Sequence, residues 1–387
     1  MLSRLATSLS RLTRWRGAVD PPSSTKTQPK QYIQNEQERL DTFKAFLATN
    51  TYYQHMNSLS NKTKEEIEQL DKERQERNDK DEQDDEESLN EYMKDLMKTS
   101  YIDQKRRIGE VVGTQMLDLF EYVHKIGGLN SYPPPIQKLP LNSMEAKLRR
   151  ALIIKESNLE GVTFDHPDGF KLRVGRSGIG HDQAGYGVHV VGTVVPGTVL
   201  AIYPGDTYSA NTITPGIIKD NDYAIARYDG TVIDGRSWLK KTDMSVYRPQ
   251  YFNETGSSGD GGVGLLKYRN PFAIGQFINH PAEGQRPNVI GIKYNFSADF
   301  PEHLKPYIPN MEMFENRFLR DGNIFVKSFV IIAYEQINDG ELLLNYRFNP
   351  DNPYPDWYHQ PDLEEAKRRW GQVEDRFSLN TIASRLL

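Results

Sequence analysis

Residues 270–289 read "NPFAIGQFINHPAEGQRPNV". A mostly apolar run ends in a polar pair, Asn279-His280, and a loop of Pro, Gly and Asn follows. An amide and an imidazole at the end of a buried-looking strand have two explanations. One is a turn whose side chains cap the local backbone; the other is a pocket for a small molecule. The flanking sequence decides the fold. After about residue 160, Gly and Pro become frequent and apolar runs shorten. "FKLRV", "YGVHVVG", "TVLAIY", "TVIDG", "NVIGIKYNF" and "FVKSFVIIAY" each read as a short strand bounded by turn formers. "NDG" at 338–340 predicts a tight turn between two apolar runs. No helix-length apolar pattern separates the strands, so a βαβ sheet is disfavoured and a compact α+β fold of short strands is expected.

Upstream the texture is helical and charged. Residues 32–150 form a predicted helical extension with two apolar stripes: Phe43, Phe46 and Leu47, then Met116, Leu117, Leu119, Phe120 and Val123, closed by Gly127-Gly128. Between them, residues 62–92 hold too few apolar positions to bury and predict a solvated or disordered stretch. "SYPPPIQKLP" at 131–140 marks a boundary, since tandem prolines cannot continue a helix. Residues 20–31, rich in Pro, Ser and Thr, read as a linker. Residues 1–19 carry Arg4, Arg11, Arg14 and Arg16 beside leucines recurring every three or four positions, with no acid before Asp20. That profile predicts a mitochondrial transit peptide. An ordinary basic helix, with the chain in the nucleus or cytoplasm, is the alternative.

Composition excludes several classes. The 387 residues include no cysteine, which removes disulfides, thiolate zinc sites and cysteine nucleophiles. The eight histidines show no metal-ligand spacing, so no metal site is expected. A net charge of −5 argues against direct nucleic-acid binding and favours basic partners. No run of about 20 apolar residues is present, so no transmembrane segment is expected. Oligomeric state is not legible.

Four fragments stand in order: Ala184-Gly185-Tyr186-Gly187-Val188, Tyr203-Pro204-Gly205, Asn279-His280 with Pro287-Asn288, and Ile337 to Leu342 with Asn345-Tyr346. Each alone is weak; the ordered set resembles the SET domain of protein-lysine methyltransferases. The resemblance spans residues 160–350. It implies a mostly-β SET domain with a pseudoknot-like C-terminal part and S-adenosyl-L-methionine as cofactor. It also implies methyl transfer to an accessible lysine of a protein substrate. By the same resemblance, Gly185, Tyr186, Gly187, Asn279, His280 and Tyr346 bind the cofactor, and Tyr346 and Tyr203 are the catalytic pair. Glycines let a backbone approach a ligand closely, and an aromatic wall suits an alkyl-ammonium tip. A catalytically silent SET module, acting as a binding or assembly factor, is the alternative.

Departures from the family pattern are concentrated in two places. Gln276 stands where Arg is usual, and Pro281 replaces a small polar residue. "GELLLNY" is one residue short, with Asn345 in place of Asp. No cysteine cluster closes the domain. Residues 351–387 bring Tyr354, Trp357 and Tyr358 and then a helix starting near Pro361. Those aromatics either cover the cleft or pack on the domain's own surface.

Overall fold

The computed structural model describes residues 30–59, 96–127, 163–181, 183–210, 212–218, 221–236, 270–312, 323–350 and 353–370. The expected transit peptide, most of the linker, the charged stretch 62–92 and the prolines of 131–140 lie outside the described residues.

Among the described residues two long helices come first, α1 (Lys30–Leu59) and α2 (Tyr101–Ile126). The start of α2 is set by Ser100, whose hydroxyl accepts from the Asp103 N–H, and its end by Gly127 in the left-handed region at φ 77°. Ile108, Val112, Met116, Leu119, Phe120 and Val123 recur at helical spacing and are buried. Leu117, which the sequence stripe included, is 39% exposed because it falls between the turns that face the core.

Eleven strands follow among the described residues: β1 (Thr163–Asp165), β2 (Lys171–Arg176), β3 (Tyr186–Val194), β4 (Val199–Ile202), β5 (Gly205–Tyr208), β6 (Ala224–Ala226), β7 (Val232–Asp234), β8 (Val289–Ser297), β9 (Asn310–Glu312), β10 (Ile324–Ala333) and β11 (Ile337–Glu341). They form three small sheets, ordered β1-β2-β3-β11, β4-β10-β8 and β6-β7-β5-β9. Every pairing is antiparallel except β5 with β9. The fold is α+β and mostly β beyond the helices, as expected. All six strand readings fall on strands. The turn expected at "NDG" is instead part of β11. Asp339, at φ 42°, faces Val191 and Gly192 of β3, and its carboxylate accepts from the Gly192 N–H at 2.8 Å. Left-handed residues satisfy a bulge as well as a hairpin turn, and here cross-strand pairing chose the bulge.

The helices join the β core through one continuous cluster of buried residues. The Phe120 ring meets Phe296 and Phe300 at 5.4 and 5.3 Å. The buried amide of Gln115 donates to the Gly197 carbonyl at 3.0 Å and accepts from the Val199 N–H at 2.8 Å, pinning α2 to the start of β4. Gly197 lies so close to α1 that a Cβ there would sit 2.3 Å from the Ala48 carbonyl oxygen.

After β11 the chain runs between the two limbs of the 279–289 loop. Leu344 N–H donates to the Asn279 carbonyl at 2.8 Å on one side. On the other, Asn288 clips the segment twice: its amide oxygen accepts from Leu343 N–H at 2.7 Å, and its amide nitrogen donates to the Glu341 carbonyl at 2.8 Å. A last helix, α3 (Leu363–Trp370), begins at Asp362, whose carboxylate accepts from the Glu365 N–H. Glu364 and Glu365 in its first turn and Lys367, Arg368 and Arg369 in its last match the helix dipole.

Candidate functional site

A cleft of about 1210 Å³ opens where β3, the Asn279-His280 segment and the threaded residues 344–348 meet. Six of the seven residues singled out from sequence line it: Gly185, Tyr186, Tyr203, Asn279, His280 and Tyr346. Gly187 does not. A Cβ at Gly187 would lie 2.1 Å from Oε1 of Glu341, so the room its missing side chain leaves is filled by that carboxylate. Gly185, at φ 57°, is different: a side chain there would meet only the Gln183 carbonyl, at 4.0 Å, so its backbone faces open space.

Glu341 is the residue sequence reading passed over. Its carboxylate accepts from the Ser177 hydroxyl at 2.7 Å, the Gly178 N–H at 2.8 Å and the Asn279 amide at 3.1 Å. Asn279 also donates to the Tyr186 carbonyl at 2.9 Å. Glu341 thereby ties β3, the 177–178 turn and the Asn279 segment together. It sat within "GELLLNY", but nothing in the spacing distinguishes a carboxylate aimed inward from an exposed one.

His280 is 3% exposed and serves as a cross-brace. Tyr346 N–H donates to its Nδ1 at 3.2 Å, so Nε2 carries the proton and donates to the His359 carbonyl at 2.6 Å. Its ring stacks on Tyr358 at 4.3 Å. Tyr358 stacks in turn on Phe348, and Trp357, which lines the cleft, stacks on His181 at 5.2 Å and meets Tyr346 edge-on at 6.1 Å. The C-terminal aromatics thus divide between the two expected fates: Trp357 borders the cleft, while Tyr358 packs on the domain.

Burial raises both tyrosine phenols above their ordinary range, so both are protonated. The Tyr203 hydroxyl donates to the Tyr223 carbonyl at 2.9 Å and the Tyr346 hydroxyl to the Ile278 carbonyl at 3.1 Å. Gln276 lines the same cleft, is 6% exposed, and has no hydrogen-bond partner among the described residues at either side-chain polar atom. Among the described residues no group of three or more His, Asp or Glu could hold a metal ion, and no helix is long and apolar enough to cross a membrane.

Burial also pushes two histidines down, His280 and His166, each to about 4. His166 accepts from Asp168 N–H at Nδ1 and donates to the Val199 carbonyl, again as a neutral ring. The unfolded chain protonates these histidines at about 6.5, so between that pH and about 4 it binds more protons than the native state. Stability therefore falls as pH drops through this window. Urea midpoints measured from pH 7 to 4 are expected to decline across it, with His166→Asn flattening the decline; a level wild-type profile contradicts the assignment.

Short-stranded sheets around a segment threaded through a preceding loop, with the Gly185, Asn279 and Tyr346 fragments on one cleft, are consistent with the SET-domain resemblance drawn from the sequence. No family model matches the chain. Two curated proteins do resemble it, both called SET domain-containing protein 9, from Pongo abelii and Homo sapiens. Each is 30% identical over 176 residues, which is 42% of this chain and 59% and 54% of the respective relatives. Over those 176 residues the chain is similar to SET domain-containing proteins. It spans less than two thirds of the length of these relatives.

Proposed function

We propose that the cleft binds S-adenosyl-L-methionine and that the protein methylates a lysine side chain of a protein substrate. The observation that carries this reading is the convergence of Gly185, Asn279 and Tyr346, from three separate chain segments, on one cleft. The residues present fit the cofactor. Gly185 offers open backbone, Trp357 a flat apolar wall, and Gln276 a buried amide with no partner among the described residues. An unpaired buried amide costs about 1–3 kcal/mol, and a polar ligand relieves that cost. Gly185, Tyr186, Asn279 and His280 would hold the cofactor, with Gly187 acting behind them as the seat of Glu341.

When bound, the cofactor supplies an electrophilic methyl carbon on a sulfonium. The chain's own residues handle the amine. A free lysine has a pKa near about 10.4, so it must lose its proton to react, and burial between Tyr203 and Tyr346 favours the neutral form. Both phenol hydrogens are committed to backbone carbonyls, which leaves the oxygen lone pairs to accept from an amine N–H. Asp222, exposed at the rim and within electrostatic reach of Tyr346, draws a cationic side chain to the entrance.

The test is incubation with methyl-labelled cofactor and mitochondrial protein extract, chosen because of residues 1–19. Label is expected on protein lysines with wild type, and Tyr346→Phe should lower the rate about 100-fold. One observation favours the silent-module alternative: the Asn279 amide nitrogen is already engaged by Tyr186 and Glu341. Calorimetric binding of S-adenosylhomocysteine with no transfer to any protein would establish that alternative.

A further inference from the structure

We infer that Asp41 of the N-terminal helix α1 is a positioning residue for Tyr346, so that the helical extension is a working part of the cleft wall; this rests on the methyltransfer reading above. Arg347 directly follows Tyr346 and holds φ 55°, a left-handed conformation that non-glycine residues adopt only where surrounding contacts impose it. Those contacts come from both ends of the chain. Arg347 Nη1 and Nη2 donate to the two carboxylate oxygens of Asp41 at 2.7 and 2.9 Å, a bidentate pair. Its Nε pairs with Glu365 of α3. Its carbonyl accepts from the Trp370 indole N–H at 3.2 Å, and its own N–H donates to Asn345 Oδ1 at 2.9 Å.

The clamp is itself braced. Asp41 accepts from the Tyr228 hydroxyl at 2.5 Å and from Gln37 at 3.0 Å, and Gln37 accepts from Arg368 at 2.9 Å, joining α1 to α3. The side chains of Arg347, Asp41 and Glu365 are only 19%, 9% and 7% exposed. Charges this buried demand their partners, so the pairing is rigid. A helix that served only to cover the core needs no ion pair at this spot. Here the pair falls on the residue next to the tyrosine whose hydroxyl borders the cleft. Moving that hydroxyl by about 1 Å is enough to cost a rate factor of about 100.

The experiment uses the full chain carrying Asp41→Asn. Expected are a kcat about 100-fold lower per folded molecule with the affinity for S-adenosylhomocysteine little changed. Faster amide exchange is expected in the peptide spanning 342–350 and unchanged exchange across β8 and β10. Tyr228→Phe, which removes one donor to Asp41, should shift both readouts the same way by less, and it decides the matter if Asp41→Asn does not fold. A lowered melting temperature alone, with kcat and exchange at 342–350 as in wild type, overturns the inference. If wild type transfers no methyl group, the methyltransfer reading fails, and the exchange comparison by itself upholds or overturns the positioning role.

Discussion

Gly205→Ala is expected to remove about 4 kcal/mol or more of folding stability, a loss reserved for backbone conflicts and core collapse. Gly205 has φ 137°, which an L side chain rarely adopts. A Cβ there would stand 2.2 Å from the Asp234 carbonyl oxygen, 2.6 Å from its carbon and 2.9 Å from the Gly235 nitrogen. All are backbone atoms of the strand that pairs with β5, where Asp206 faces Asp234. No rotamer change relieves the clash; strands β5 and β7 must separate. Strain at the dihedral contributes about 1–3 kcal/mol, and displacement of packed backbone a similar amount. Against a total of about 5–15 kcal/mol the variant is marginal or unfolded. Urea denaturation checks this, and a midpoint equal to that of wild type refutes it. Because Gly205 closes the turn after Tyr203, whatever folds should also have lost the Tyr203 wall.

Glu341→Gln is expected to loosen the cleft while changing almost no volume. The carboxylate accepts from three donors: the Ser177 hydroxyl, the Gly178 N–H and the Asn279 amide. An ionised carboxylate is acceptor-only, whereas an amide offers one acceptor oxygen and a donor nitrogen. Whichever way the glutamine amide points, its NH₂ confronts at least one of the backbone or side-chain donors. Gly178 is exposed and Ser177 and Asn279 are half-buried, so a donor left unpaired there costs the lower end of the usual range, about 1 kcal/mol. The Asn279 segment and the 177–178 turn then lose part of their common anchor, and cofactor affinity should fall by about 10-fold, one step of about 1.4 kcal/mol. Calorimetry with S-adenosylhomocysteine measures the loss. Wild-type affinity in the glutamine variant would show that the carboxylate's charge and geometry are dispensable.

Much of the fold was legible because it is local. "FVKSFVIIAY" and "NVIGIKYNF" are dense in β-branched and aromatic residues, and they became the longest pairing, β8 with β10. The Gly127 cap was readable for the same reason. "NDG" misled because a left-handed residue serves a bulge as well as a turn, and only the partner strand decides. In the cleft, the residue types that meet were legible as an ordered set, but their division of labour was not. Gly187 was read as a ligand seat, whereas its space belongs to Glu341, a contact across 154 residues that no spacing rule reaches. Asp41 was invisible for a stronger reason: it lies 306 residues from Arg347 and, in sequence, is one more acid on a charged helix.

The threading of residues 342–346 between Asn279 and Asn288 has a consequence for biosynthesis. The loop must stay open, or reopen, until the segment that occupies it has left the ribosome, because a loop already collapsed on itself has no gap to admit it. A nascent chain stalled before residue 346 therefore lacks the end of the threaded segment with Tyr346, and one stalled before 363–370 also lacks the helix that grips Arg347. The cleft comes into being only once translation has passed these residues.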